Sequence, residues 1–342
     1  MKTPDFVAVK ENTIENKKLR VAVWGLGNHA LKNILPALVD CREVELAGVL
    51  SRSKDIVQEC VGLYDCDAWN SPEEMLASDI VDVIYLSTPI GLHVEQGMQV
   101  LEANKHCWCE KPIANSYQNA QKLVDMASKK KLTLCEGYMY QYHPQFHWLK
   151  EYINHKEFGS IKSIRCHFGI PFLESPGFRY QSELGGSALL DVGCYPLSAM
   201  LDLLPESEPV LKYIRVNKPP GYEVDMEGIA VFNINGVTDV FLEWGMGRTY
   251  RNEIDIWGEL DSIYTDKIFS KLADYEPSYI LTNKKGQKTT KTCRPTNHFV
   301  AMFDYFGEMV GDDTIINLEY ERILRRASYL GELFEAGKKY LN

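Results

Sequence analysis

Gly25, Gly27 and Ala30 fall in a GxGxxA spacing, Gly25-Leu26-Gly27-Asn28-His29-Ala30, which suits the holding of a diphosphate. Gly25 can turn the backbone sharply, Gly27 lets a pyrophosphate approach the main chain, and Ala30 is small enough for a helix to pack on the preceding strand. The apolar run LRVAVW supplies that strand and LKNILPALVD the helix, whose first N–H groups, around Asn28 and His29, and positive dipole end favour an anion. The next apolar run, EVELAGVL, ends in Ser51-Arg52-Ser53. Sites that select NAD place an acidic residue at this point to hold the ribose 2′-hydroxyl. None stands here, and Ser51 with Arg52 can instead bond an adenosine 2′-phosphate. NADP, as NADPH, is therefore the expected cofactor and NAD the weaker fit; a merely solvated turn is the alternative.

The elements that must position these residues alternate. DVIYLS reads as a buried strand that delivers Ser87, Thr88 and Pro89 to its end, and the helix after it, from Gly91 to Ala103, carries His93 near its start; these four, with Glu110 and Lys111 of the next strand's end, are candidate cofactor contacts, a satisfied histidine being the alternative for His93. KHCWCE is the next strand and presents Glu110, Lys111 and Pro112 at its C-terminal end, where open parallel sheets bind ligands. A helix over 116–130 and a strand over 132–136 complete this half. From Gly137 the texture becomes aromatic, GYMYQYHPQFHW, and a domain boundary is expected there. The second half reads as a helix to about His155, a strand over 160–168, a long loop, a helix over 187–204 and several alternating segments. Asn235-Gly236 is a strong hairpin signal, and helices over 298–310 and 317–341 close the chain. The fold class expected is α/β: a doubly wound parallel Rossmann sheet over 19–137, then an α+β domain over 138–342 with an open, mainly antiparallel sheet. Residues 1–18 read as an N-terminal extension.

A chain of 342 residues fits two domains, and 45% hydrophobic with 25% charged residues is a soluble composition. The net charge of −10 argues against nucleic acid or an anionic membrane as partner, so an anionic small ligand must be met by local basic groups. Nine cysteines, odd in number and irregularly spaced, suit a reducing cytoplasm, and Cys107 and Cys109 read as core residues rather than metal ligands. No run reaches the ~18 apolar residues of a membrane span.

The order GLGNHA, STPIGLH, CEKP and LGGSALLDVGCYP resembles the Gfo/Idh/MocA family of oxidoreductases, over about residues 19–205 strongly and the remainder loosely. Within it, YMYQYHPQF, FRYQSELGGSALLDVGCYP and EWGMGRTYRN resemble the sugar 3-ketoreductases of deoxysugar biosynthesis, which act on nucleotide-linked sugars with NADPH. The resemblance implies that the open sheet forms a contact between copies, giving a homodimer or homotetramer. It also implies catalytic roles for Lys111 and Tyr195, with Asp191 four residues before Tyr195. The chemistry is coherent: hydride arriving at a carbonyl carbon leaves negative charge on the oxygen, which needs a fixed positive group and a proton donor. A tyrosine with pKa about 10 keeps its proton at neutral pH, and an ammonium beside it eases the release.

On a continuous helix Asp191 and Tyr195 share a face, but Pro196 predicts a kink at Tyr195. For an anionic sugar nucleotide, Arg179, Arg248 and Arg251 are the basic candidates. Tyr138, Tyr140, His143, Tyr180 and Tyr250 are candidate sugar or base platforms; the alternative is that the arginines cap the sheet and the aromatics pack the seam between domains. Ile90 stands where many family members carry Asn, and Tyr195 where polyol dehydrogenases carry histidine, which argues away from the inositol-type subgroup. Two rival functions are a dehydrogenase of free sugars or trans-dihydrodiols and a regulator that senses NADP(H); sensing needs no acid, so Tyr195 disfavours the second.

Overall fold

The structure, a computed structural model, describes residues 18–155 and 158–341. Its first sheet has six parallel strands: β1 (Leu19–Trp24), β2 (Val44–Leu50), β3 (Asp67–Ala68), β4 (Val83–Leu86), β5 (His106–Cys109) and β6 (Leu134–Glu136). They lie in the order β3-β2-β1-β4-β5-β6, so the chain reverses its winding between β1 and β4. Ligands of doubly wound sheets bind in the crevice at this switch point, outside the carboxyl ends of the strands. The central strands are apolar runs because helices cover both faces: all four residues of β4 are buried. Cys107 and Cys109 are fully buried free thiols in β5, as expected of core residues.

The second sheet has eight strands: β7 (Ile161–Ile170), β8 (Pro209–Asn217), β9 (Glu227–Ile234), β10 (Thr238–Met246), β11 (Arg251–Gly258), β12 (Asp261–Asp266), β13 (Ser278–Asn283) and β14 (Lys288–Thr292). Their order is β14-β13-β12-β11-β7-β10-β9-β8. Only β7 and β10 pair in parallel, so the mainly antiparallel expectation holds. Asn235 and Gly236 make the β9–β10 turn with φ of 54° and 71°, the conformation that fits the twist of a hairpin. One face of this sheet is covered by the apolar helical segment 187–203. The span Ser182–Leu203 is long and apolar enough to cross a bilayer by length and composition, but it lies 89% buried inside the fold as a core helix.

Pro196 does not break that segment. A π-turn over Leu189–Gly193 runs without interruption into the α-helix Cys194–Leu203, and this wider turn just upstream accommodates a proline that has no N–H to give back to it. The distortion thus lies one turn before Tyr195, at Asp191 itself.

The closing helices, read from sequence as part of the second domain, pack back across the first. In His298–Met309, Phe303 meets Tyr85 and Trp108 at ring-centroid distances of 5.0 and 6.2 Å, and Asp304 accepts the Arg42 and Glu43 backbone N–H groups. The 25-residue helix Asp313–Gly337 packs on the helix Tyr117–Lys130 and on β6.

Candidate active site

The site is assembled from the C-terminal ends of β1, β4 and β5 and from the loop and helical turn that follow β7. Gly25 leaves β1 with φ +107°, and a Cβ there would stand 2.6 Å from the Ser87 carbonyl oxygen at the end of β4. Gly27 has nothing within 4 Å of the place a Cβ would occupy, so its main chain faces open space, as close approach of a pyrophosphate requires. Ala30 is fully buried and opens the π-turn Ala30–Ile34 that leads into the helix Leu35–Asp40. At the end of β2, Ser51 accepts the Ser53 N–H at 3.4 Å, and the exposed Arg52 has no carboxylate partner among the described residues. These groups fit a dinucleotide carrying a 2′-phosphate.

His29 and Glu110 join the first helix to the turn after β5. Asn33 donates to His29 Nδ1, which leaves the proton on Nε2 to be donated to Glu110 Oε1 at 2.9 Å. Tyr85 donates to the same oxygen at 2.5 Å. Burial alone would raise the Glu110 carboxyl; His29, Tyr85 and Lys111 hold it down to about 2. Oε1 of Glu110 is therefore occupied by the protein itself. Thr88 donates to Gln96 at 2.5 Å.

His93, expected to touch cofactor, is instead 1% exposed, with its ring nitrogens 2.9 Å from the backbone oxygens of Thr88 and Pro112. It ties the β4 turn to the β5 turn and contacts the cofactor site only through them. The Lys111–Pro112 peptide that it braces is cis.

Lys111, Asp191, Arg179 and Tyr195 converge. Lys111 Nζ donates to the Asp191 backbone oxygen at 2.7 Å and to Oδ1 at 3.1 Å, while Arg179 Nε donates to Oδ2 at 2.7 Å. Burial opposes the charge on the Asp191 carboxylate; Lys111 and Arg179 nevertheless keep that carboxyl below its usual range. Burial likewise works against the Lys111 ammonium, but Tyr195 and Asp191 raise it above its ordinary value. Lys111 Nζ stands 4.6 Å from the centre of the Tyr195 ring. Burial raises the Tyr195 phenol despite Lys111, so it is protonated at neutral pH. Its hydroxyl donates to Met139 Sδ at 3.6 Å, a weak acceptor.

Several expected substrate residues do other work. Tyr138 and Tyr140 are 1% and 0% exposed and form, with Phe168 and Phe269, the aromatic wall around Tyr195. The Tyr140 hydroxyl bonds Ser198 and Asp202. His143 is buried as the N-cap of the helix Pro144–Ile153. Arg248 pairs with Glu227 and Glu243, both at 2.6 Å, and Arg251 pairs with Glu253, so both arginines cap the sheet. Tyr180 is half-buried, with its hydroxyl accepting the Leu173 N–H and its ring edge-on to Tyr222. Tyr250 is exposed, with its hydroxyl directed to the Ser270 oxygen and accepting from Asn252. Arg179, expected to face an anionic substrate, is bound to Asp191. Two residues were missed from sequence: Tyr85, hidden inside an apolar strand, and Phe269, whose loop nothing local marks.

The chain matches two family models, one described as an oxidoreductase family with an NAD-binding Rossmann fold, over residues 19–138, and one as a GFO/IDH/MocA C-terminal domain, over residues 146–264. Among characterised relatives it is similar to a dTDP-3,4-didehydro-2,6-dideoxy-α-D-glucose 3-reductase of Saccharopolyspora spinosa, 30% identical over 79% of this chain and 81% of that one. A reductase of the same name from Actinomadura kijaniata is 29% identical over 78% and 80%. A crystal structure of a 3-ketoreductase from Actinomadura kijaniata, in complex with NADP and TDP-benzene, superposes with a TM-score of 0.87 at 25% identity, covering 94% of this chain and 98% of that one.

Proposed function

From a chain that belongs to the Gfo/Idh/MocA oxidoreductase family we infer an NADPH-dependent reductase of a keto group on a nucleotide-linked deoxysugar, of the kind its relatives reduce at C3 of a dTDP-linked hexose. The observation that carries this reading is the Lys111 ammonium, fixed by two bonds to Asp191 and set 4.6 Å from the centre of a protonated phenol ring. Gly25, Gly27, Asn28, His29 and Ala30 would hold the dinucleotide's diphosphate; Ser51 and Arg52 would hold its 2′-phosphate. When bound, NADPH supplies the hydride.

The chain's own residues then manage the charge and the proton. Lys111 offers a pre-positioned cation to the carbonyl oxygen as negative charge develops, at no cost of reorganisation. Asp191, held by Arg179 from the other side, keeps Lys111 charged and oriented. Tyr195 gives its proton to that oxygen; its hydroxyl rests on a thioether, so no strong acceptor competes for the proton. Asp191 is a positioning residue, since both of its oxygens are already engaged.

The outer face of the eight-stranded sheet, with Tyr213, Trp257 and Ile280 exposed, is where we place contacts between copies, and nine free cysteines suit a reducing compartment. Steady-state oxidation of NADPH with a dTDP-linked 3-keto-deoxyhexose, a free keto sugar and a trans-dihydrodiol with NADP tests the reading. Turnover of the nucleotide-linked ketone alone supports it. Turnover of the free sugar or diol in its place favours the dehydrogenase, and tight NADPH binding with no turnover favours a sensor.

A further inference from the structure

A cluster of buried polar side chains lies next along the chain to the aromatic wall of the active site. The loop after β12 contributes Phe269, whose ring packs on Tyr195 at a centroid distance of 5.7 Å, and two residues later Lys271, which donates to the Ile268 oxygen at 3.0 Å. Two histidines lie close to Lys271. His143 is 0% exposed and its Nδ1 accepts the Gln145 N–H at 2.9 Å, which fixes its proton on Nε2, and that buried N–H has no hydrogen-bond partner among the described residues. His298, at the start of the helix His298–Met309, is 2% exposed, and neither of its ring nitrogens has a hydrogen-bond partner among the described residues. The two rings face each other edge to face with centroids 6.2 Å apart.

Buried polar groups left unpaired are costly, and three such nitrogens with an ammonium beside them form an unusual concentration. The groups acting on them are cations, imidazoles and one thiol: Lys271, Arg294, His147 and His29 on the histidines, and Cys293 on Lys271. Among the described residues no carboxylate acts on any of the three, in a chain that carries ten more acidic than basic residues. An anion is what this cluster would take. Lys271 follows by two residues the Phe269 that packs on Tyr195, a placement that also suits a group attached to the sugar being reduced.

We propose that Lys271, His143 and His298 form a buried phosphoryl-anion site beside the catalytic centre, filled during turnover by the diphosphate of the nucleotide-linked substrate. The proposal rests on the nucleotide-sugar reading above. Bonds from an ammonium and imidazole N–H groups to phosphate are short and strong, and they would satisfy the orphaned N–H groups of His143 and His298. Burial pulls the Lys271 ammonium down to about 7, and a bound anion raises it again. Binding above neutral pH must therefore take up a proton.

Calorimetric titration of the full chain with TDP, thymidine and NADPH tests the site. Lys271→Met removes the charge and keeps the stem, and His298→Gln is an independent variant should the first misfold. Each is expected to weaken TDP about 10–100-fold, with thymidine and NADPH within about twofold and Lys271→Arg recovering most of the loss. At pH 8, TDP heats measured in HEPES and in Tris should reveal proton uptake in the wild type and not in Lys271→Met. A loss confined to NADPH would assign the cluster to a cofactor phosphate and overturn the substrate assignment. Unchanged TDP binding in both variants, with wild-type turnover of the nucleotide-linked ketone intact, would overturn the site alone. A wild type that neither binds TDP nor reduces such a ketone would overturn the reading beneath it as well.

Discussion

Glu110 shows how single side chains here do two things at once. Its Oε1 receives Tyr85 and His29, and through them the start of the first helix is fastened to the turn that bears Lys111. Its folded pKa, about 2, lies below the ordinary 4.5, so the stability it confers is complete above about pH 4.5 and is lost as the pH falls toward 2. Glu110→Gln should cost on the order of 2 kcal/mol at pH 7, after discounting for the solvent that reaches the one-third-exposed His29. Urea unfolding of both proteins from pH 7 to 3.5 should show the gap narrowing at the acid end. A gap that stays constant or widens there would mean that the carboxylate is not held by its partners. Tyr138, Tyr140 and His143 illustrate the limit of reading residues one at a time: an aromatic ring serves equally as a sugar platform or as packing, and only burial decides which.

At the scale of elements, the first βα turn separates folding from binding within two residues. Gly25 has a positive φ and no room for a Cβ, whereas Gly27 has open space. Gly25→Ala should therefore unfold at lower temperature and lose NADPH affinity. Gly27→Ala should melt close to the wild type and bind NADPH at least about tenfold more weakly, because its methyl group would stand where a diphosphate must approach. Thermal melts with fluorescence titration check both; a Gly27→Ala protein with native NADPH affinity would refute the cradle. This turn was legible in the sequence because glycine spacing, an apolar strand and an amphipathic helix are all local signals. The CEKP and LGGSALLDVGCYP stretches were legible only through their resemblance to the family, since no local pattern brings Lys111 and Asp191 together. The β14 strand, KTTKT, was not: it is exposed throughout and has no apolar alternation to mark it. Nor was the cluster of Lys271, whose members come from three separate stretches of chain.

Across the whole molecule, the closing helix acts on the catalytic turn through buried charge. Arg326, 4% exposed, pairs with Glu136 at 3.1 Å and Glu319 at 2.9 Å, and Glu136 in turn accepts the Ile113 N–H, two residues after Lys111. Burial pushes the Glu136 carboxyl up to about 7 even with Arg326 beside it. Arg326→Met would leave the buried Glu136 without its cation, and Glu319 with only Arg322 at 3.6 Å, and should cost about 3–5 kcal/mol at pH 8. Because a carboxyl with a raised folded pKa gains stability as it takes up its proton, the loss should shrink toward pH 5; denaturant unfolding at the two pH values checks the sign. The change to an aromatic texture at Gly137 was visible in the sequence, but the packing of the last two helices back on the first sheet and its helices depends on long-range contacts that no local pattern records. In the mechanism we propose, the reaction rests on one cation, Lys111. Single-turnover mixing of NADPH-loaded enzyme with a dTDP-linked 3-keto-deoxyhexose, followed at the nicotinamide absorbance for the wild type and Lys111→Met, measures its contribution directly. The variant should bind NADPH normally and transfer hydride roughly 10²–10³-fold more slowly, and hydride transfer at the wild-type rate without Lys111 would contradict the mechanism.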